Sequence, residues 1–236
     1  VEHLEELRLR IFIAAGAWLA AALVVLVFVR PVLDVLLAPA RAAAGMDFAV
    51  FRPTEVVMVY LKTALAGGAV AAAPVVLAQA WAFVRPAVAP DRRPNWTLWG
   101  GGAALLFAAG TLFAYRVALP AALAFLLALA RPVADPVLGL DFTLSFVVAV
   151  LLLGGAVFEI PVAAGLLTRI GLITPGAMRR GRRVALFIMV AVAALLTPTT
   201  DVVNLAVFAL LMWALYEIGI GVSAWTARRR RRRDRL

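Results

Sequence analysis

The 236-residue chain contains no cysteine and a single histidine. The lack of cysteine excludes a disulfide framework, a thiolate metal site and a cysteine nucleophile, and one imidazole excludes a histidine-rich metal cluster. Enzyme signatures are missing too: the sequence has no His-Glu-x-x-His helix, no nucleophile elbow and no phosphate-cradling loop. We therefore expect no metal, no cofactor and no enzymatic activity.

Charge is also scarce in this sequence. Charged residues make up 15% of the chain, against about 25% in soluble domains, and 65% of the residues are hydrophobic. Only helices and closed barrels satisfy every backbone hydrogen bond in lipid, and the alternating ten-residue segments typical of barrels are absent. The composition predicts an all-α, polytopic membrane protein with one domain over residues 1–236.

The apolar runs predict six transmembrane helices, the last two of them short. A cytoplasmic surface helix over residues 1–10 precedes them, because Leu4, Leu7 and Ile11 share one helical face. The fifth run reaches only about 20 Å at roughly 1.5 Å per residue, too little to cross a bilayer. Gly100-Gly101-Gly102 is expected to allow close helix packing. The predicted spans are 11–29, 57–84, 96–119, 142–168, 184–196 and 202–227, followed by a basic cytoplasmic tail, 228–236.

The basic residues are distributed unequally between the predicted loops. The chain has 23 bases and 13 acids, and seventeen of those bases fall on one side of the predicted spans. The positive-inside rule accounts for this excess without any binding of nucleic acid. We expect an inner-membrane protein with both termini cytoplasmic and with loops 30–55 and 120–141 outside.

One acidic residue lies deep within an apolar run. Glu159, in Phe158-Glu159-Ile160-Pro161, is the only ionisable residue between Asp141 and Arg169. A carboxylate at that depth costs at least about 2.5 kcal/mol, so it must be protonated, paired or open to a water-filled cavity. Pro161 also leaves a helix carbonyl without its donor. These features favour an intramembrane polar site, and a structural hydrogen bond to a neighbouring helix is the alternative.

A few acids lie among the predicted cytoplasmic bases. Glu2, Glu5 and Glu6 lie on the first helix and Asp91 lies in the first cytoplasmic turn. Carboxylates in such a place suit a cationic ligand, particularly a pair of guanidinium groups, which bond carboxylates bidentately. The alternative is structural, since Glu6 and Arg10 form a favourable i, i+4 pair that would staple the helix.

Several motifs, taken together, resemble TatC, the core receptor family of the twin-arginine protein translocase. The opening His3-Leu4-Glu5-Glu6-Leu7-Arg8-Leu9-Arg10 is similar to the start of that family, and Phe158-Glu159-Ile160-Pro161 to the signature of its fourth span. Further matching segments are Phe51-Arg52-Pro53-Thr54-Glu55 with Lys62, Ala73-Pro74, Gln79-Ala80-Trp81-Ala82-Phe83 ending at Pro86, Leu196-Thr197-Pro198 with Asp201, and Tyr216-Glu217-Ile218-Gly219.

The resemblance implies a concave helical bundle that binds the twin-arginine signal peptides of folded export substrates at its cytoplasmic face. It implies partner subunits of the single-span TatA and TatB types, surrounding membrane lipid, a homo-oligomer in the receptor complex and transport driven by the proton-motive force. The runner-up is a proton-coupled secondary transporter that uses Glu159. The lone intramembrane charge and the lack of internal repeats count against it, and an intramembrane enzyme lacks a nucleophile and base.

The resemblance also implies roles for particular residues. Glu6 and Asp91 would take the paired arginines, with Phe83 as an apolar contact and Arg8 and Arg10 beside them. Glu159 would polarise the concave cavity. One departure concerns the first cytoplasmic loop, where the family usually has a glutamate before two bases and this chain has Asp91, whose stem is shorter. Prolines that would shape the bundle are Pro39, Pro74, Pro86 and Pro161.

Overall fold

The computed structural model describes residues 2–45, 47–84, 96–196 and 202–233. Within these ranges the chain is helical, and its loops are joined by one isolated backbone bridge between Ala49 and Gly139. A five-residue π-helical turn, Ala114–Ala118, connects two of the α-helices. The helices are α1 Glu2–Val27, α2 Val29–Ala44, α3 Glu55–Val84, α4 Trp96–Phe113, α5 Leu119–Ala130, α6 Leu140–Phe158, α7 Ile160–Ile170, α8 Pro175–Arg180, α9 Arg182–Leu196 and α10 Val202–Arg233.

The helices confirm the all-α membrane class. Among the described residues, five segments are long and apolar enough to cross a membrane. Helix α9 is not one of them, because its 15 residues reach about 22 Å at roughly 1.5 Å each. The count of six spans therefore stays a prediction. The five segments are Glu5–Val27, Glu55–Phe83, Trp99–Ala130, Leu140–Phe158 and Phe208–Arg228.

Several predicted boundaries are wrong. The surface helix 1–10 and the span 11–29 form one continuous helix, α1, because no proline interrupts the hydrogen bonding between them. The third predicted span does not end at residue 119, since the π-helical turn carries the chain directly into α5. Helix α10 extends to Arg233, so the predicted tail begins inside a helix.

The fourth predicted span, 142–168, is two helices rather than one. Helix α6 ends at Phe158, Glu159 forms a turn, and α7 starts at Ile160. Pro161 lies in the first turn of α7, where a missing N–H breaks no helical hydrogen bond. The proline therefore fixes Glu159 at the junction of two helices.

Small residues allow the spanning helices to approach closely, but these residues are not the glycines that the sequence analysis indicated. A Cβ atom on Gly110 of α4 would lie 2.4 Å from the carbonyl oxygen of Gly154 on α6, and one on Gly68 of α3 would lie 2.7 Å from the Cα atom of Ala22 on α1. These glycines permit backbone contact between helices. The prediction for residues 100–102 is wrong, because a Cβ atom on any of these glycines would meet nothing within 4 Å.

Candidate functional site

Glu6 and Arg10 form the predicted ion pair at the end of the bundle that holds most of the bases, here called the basic end. The Arg10 guanidinium donates to Glu6 Oε1 from Nη2 at 2.7 Å and from Nε at 3.3 Å. It also donates from Nη1 to Gln79 Oε1, at 3.3 Å. Arg10 therefore links the first turns of α1 to the last turns of α3. Both members of the pair keep about a quarter of their side-chain surface exposed, at 25% and 29%.

The other residues predicted at this site are placed in different ways. The guanidinium of Arg8 lies over the Phe12 ring, 5.6 Å from its centroid, on the exposed side of α1. Phe83 is half-buried near the end of α3. Asp91 and Pro86 lie outside the described residues. The structure thus brings Glu6 and Arg10 together. It does not test whether Glu6 and Asp91 lie close enough to bind the same pair of arginines.

Gln79 is a contact residue that the sequence analysis missed. It belongs to the quoted motif at residues 79–83, but no role was inferred for it. The available indication of a specific contact was its polar amide side chain, which lies in the apolar helix α3 close to the basic end. Its contact with Arg10 could not be predicted, because the two residues are 69 positions apart in the chain.

An aromatic stack connects three helices near the basic end. Trp81 on α3 and Trp99 on α4 are stacked, with ring centroids 5.5 Å apart and planes inclined by 11°. The guanidinium of Arg169 on α7 lies over Trp99, 5.2 Å from the ring centroid. Aromatic stacking contributes about 0.5–1.5 kcal/mol and a cation–π contact about 0.5–2 kcal/mol. The stack therefore holds α3, α4 and α7 together.

Glu159 is half-buried at the junction of α6 and α7. Its Oε1 atom is fully buried and has no hydrogen-bond partner among the described residues, while the backbone of Phe107 on α4 faces the carboxyl group. A buried polar atom without a partner costs about 1–3 kcal/mol. A structural hydrogen bond can therefore involve only the other oxygen of this carboxyl group.

A cavity of about 550 Å³ opens between α1, α2, α3, α4 and α6. Its walls are apolar except for Thr111, Tyr115 and Arg116. The Thr111 hydroxyl is buried without a hydrogen-bond partner among the described residues. Glu159 is not one of the residues that line this cavity. It lies in the turn between α6 and α7. The role of Glu159 in polarising the concave bundle therefore stays a prediction, and Thr111, Tyr115 and Arg116 supply the polar groups of this cavity.

Two residues of a quoted motif fasten the opposite end of the bundle. Glu55 is buried, and its Oε2 atom accepts the backbone N–H groups of Phe51 and Arg52 at 2.7 and 3.2 Å. Its Oε1 atom accepts the backbone N–H of Asp141 at 3.0 Å. Glu55 thus ties the loop after α2 to the start of α6.

Lys62 strengthens the same connection. Its Nζ atom lies 2.5 Å from Asp141 Oδ1 and donates to Ser145 Oγ at 2.9 Å. The partners were not predicted, although their spacing gave an indication: Glu55 and Lys62 lie two turns apart on one face of α3, and Asp141 and Ser145 lie one turn apart on α6.

Two residues of α10 fasten the last hairpin to the basic end. Arg182 Nη2 donates to Glu217 Oε2 at 2.7 Å, and the Tyr216 hydroxyl donates to the carbonyl oxygen of Met178 at 2.9 Å. These contacts place Glu217 close to the basic turn, residues 178–183. Among the residues that the structure describes, no three carboxylate, imidazole or thiol groups converge in a way that could hold a metal ion.

The chain is similar to known proteins over nearly its whole length. The sequence profile of the family TatC, Sec-independent protein translocase protein, matches residues 2–210. The TatC protein of Aquifex aeolicus is 33% identical over 233 residues, which are 98% of this chain and 96% of the relative. That of Koribacter versatilis is 34% identical over 245 residues, covering 100% of this chain and 88% of the relative.

The fold is similar to a solved structure as well. A crystal structure of the twin arginine translocase receptor TatC matches with a TM-score of 0.81 and 32% sequence identity, over 95% of this chain and 99% of that one.

Proposed function

Since this chain belongs to the TatC family of Sec-independent protein translocase proteins, we propose that it is the receptor for twin-arginine signal peptides. In this proposal it is the core component of a translocase that exports folded proteins across the cytoplasmic membrane. The solved protein of similar fold is described as a twin arginine translocase receptor. A proton-coupled transporter is set aside, because the relatives are translocase proteins.

The Glu6–Arg10–Gln79 contact is the observation that carries the proposal. It holds a carboxylate at the basic end, partly exposed, beside the helix that precedes Asp91 in the chain. An incoming arginine can replace Arg10 as the partner of Glu6, while Arg10 keeps its bond to Gln79. A second arginine would bind Asp91, and Phe83 and Arg8 would border the peptide.

Arginine is favoured over lysine by the geometry of the group that binds. Hydrogen bonds to charged groups contribute about 1.5–3 kcal/mol each, and a guanidinium forms two parallel bonds to one carboxylate. Lysine keeps the charge but lacks the planar fork. The surrounding bases repel cationic peptides that cannot form both contacts.

The apolar cavity of about 550 Å³ suits the hydrophobic segment of a signal peptide or a single-span partner helix of the TatA or TatB type. Glu159, at the α6–α7 junction, supplies a second polar position within the membrane. Several copies of the chain would assemble in the receptor complex, with both termini cytoplasmic and the proton-motive force driving transport. The role is one of recognition and not of catalysis.

Export in cells that carry this chain as their only TatC protein tests the proposal. A folded reporter with a twin-arginine signal should reach the periplasm, and the same reporter with two lysines should be retained. Equal export of the two reporters, or export of neither at normal levels of the receptor and its partner subunits, would contradict the proposed function.

A further inference from the structure

A smaller groove, separate from the cavity described above, lies between α4, α7 and α10. It has a volume of about 270 Å³ and includes Trp99 and Gly102 on α4, Pro161 on α7, and Val222 and Trp225 on α10. We call it the Trp99–Trp225 groove. Its lining is apolar, and Trp225 is 42% exposed at its edge. The groove is therefore open on the outer surface of the bundle, where lipid surrounds the protein.

The length of the groove matches one leaflet of a bilayer. On α10 its lining runs from Leu215 through Ile218 and Val222 to Trp225. Ten residues of helix rise about 15 Å, which is half of a hydrocarbon core of about 30 Å. On α10 the groove begins at Leu215, next to the two residues that contact the basic turn, and it continues from there toward Arg228. A groove of this length accommodates an acyl chain but not a helix that crosses both leaflets.

Positive charge marks the end of the groove where a lipid headgroup would lie. The guanidinium of Arg169 lies 5.2 Å from the centroid of the Trp99 ring, which lines the groove. Arg228 is exposed one helical turn beyond Trp225. Tryptophan side chains favour the headgroup level of a membrane, and basic pockets between helices bind anionic headgroups.

We propose that the Trp99–Trp225 groove binds an anionic phospholipid of the phosphatidylglycerol type. An acyl chain lies along Ile218 and Val222, and the phosphate is held between Arg169 and Arg228. The groove has the length of one leaflet and carries positive charge at just one of its ends. Both features favour a lipid over a partner helix, which would extend across both leaflets. The inference does not depend on the proposed signal-peptide site.

The glycines of α4 provide a matched pair of variants. A Cβ atom at Gly102 would meet nothing within 4 Å, so Gly102→Leu adds a side chain to the groove without displacing a neighbour. Gly101 is equally open and does not line the groove, so Gly101→Leu serves as the control. Both variants keep the arginines of α10, whose unspecific attraction for anionic lipid is therefore the same.

Native mass spectrometry of the purified full chain, in micelles with equal phosphatidylglycerol and phosphatidylcholine, measures the bound lipid. The wild type and Gly101→Leu should retain phosphatidylglycerol in preference to phosphatidylcholine. Gly102→Leu should bind it about tenfold more weakly, a difference of about 1.4 kcal/mol. Arg169→Gln should reduce the preference for the anionic lipid while phosphatidylcholine still binds.

Three results would overturn the proposal. A wild-type chain without preference for phosphatidylglycerol would do so whatever the variants show. Equal retention by Gly101→Leu and Gly102→Leu would mean that the basic residues of α10 hold lipid without the groove. Loss of a co-purifying single-span subunit in Gly102→Leu, with lipid binding unchanged, would identify the groove as a helix-binding site.

Discussion

The hydroxyl of Tyr115 donates a 2.7 Å hydrogen bond to the backbone carbonyl of Val35. This carbonyl has no helical donor, because the residue four positions later is Pro39, which carries no N–H. Tyr115 itself lies in the π-helical turn between α4 and α5, a type of irregularity that often occurs at functional sites. The residue in the π-helical turn thus supplies the hydrogen bond that Pro39 removes from α2. Through this bond, Pro39 connects α2 to the turn between α4 and α5.

Replacing Tyr115 with phenylalanine should lower stability by about 0.5–1.5 kcal/mol, since the Val35 carbonyl loses its donor. Thermal unfolding of the purified chain in detergent measures the loss. Pro39→Ala supplies a backbone N–H to the same carbonyl, so Tyr115→Phe should cost less in that background. An equal loss in both backgrounds would show that the hydroxyl is not replacing the helical donor.

Two ion pairs near the loops that we predict to be outside should differ in strength. Asp141 keeps 28% of its side chain exposed and bonds Lys62, whereas Asp34 keeps 63% exposed and bonds Arg41 at 3.0 Å. We expect Asp141→Ala to destabilise the chain by about 1–2 kcal/mol, and Asp34→Ala by no more than about 1 kcal/mol. Chemical unfolding of both variants provides the comparison, and equal losses would be inconsistent with a fastening role for Lys62.

The sequence predicted most of the helices, because long apolar runs have few alternatives in lipid. It also singled out Glu159, where an acid and a proline interrupt one such run, but it did not predict that the run divides there into two helices. The bonds from Arg10 to Gln79 and from Lys62 to Asp141 could not be predicted, since they depend on which helices are neighbours. No residue pattern indicates the π-helical turn at Tyr115. Helix α1 is continuous, although the sequence analysis predicted its polar and apolar parts as separate elements.

Orientation can be tested with single introduced thiols, because the chain has no cysteine. Cysteine at Asp47 or Asp135, both exposed in loops that we predict to be outside, should react with an impermeant reagent added to intact cells. Cysteine at Gly176, in the exposed first turn of α8, should react only after the membrane is opened. The reverse pattern would refute the predicted topology.

Glu159 should be important for export, since one of its oxygens is buried without a partner among the described residues. We expect Glu159→Ala to insert at normal levels and to impair export, and Glu159→Gln to impair it less if hydrogen bonding is what is required. Glu217→Ala is the matched control, because that carboxylate is partly exposed and paired with Arg182. Normal export by Glu159→Ala would return this residue to a structural role.

Recognition of paired arginines by Glu6 and Asp91 is the central claim. If one peptide bridges both carboxylates, Glu6→Ala and Asp91→Ala should each weaken its binding by about tenfold or more, as loss of a charge-assisted hydrogen bond requires. Their effects should not add in the double variant. Glu5→Ala, on the exposed side of α1, should bind like the wild type.

The most direct measurement is a binding titration of a twin-arginine signal peptide, with a twin-lysine peptide alongside, against the purified wild-type chain and these four variants. The account predicts weak binding of the twin-lysine peptide throughout, and loss of the preference for arginine when Glu6 and Asp91 are both replaced. Unchanged affinity for the twin-arginine peptide in that double variant would contradict it, because the two carboxylates would then have only a structural role.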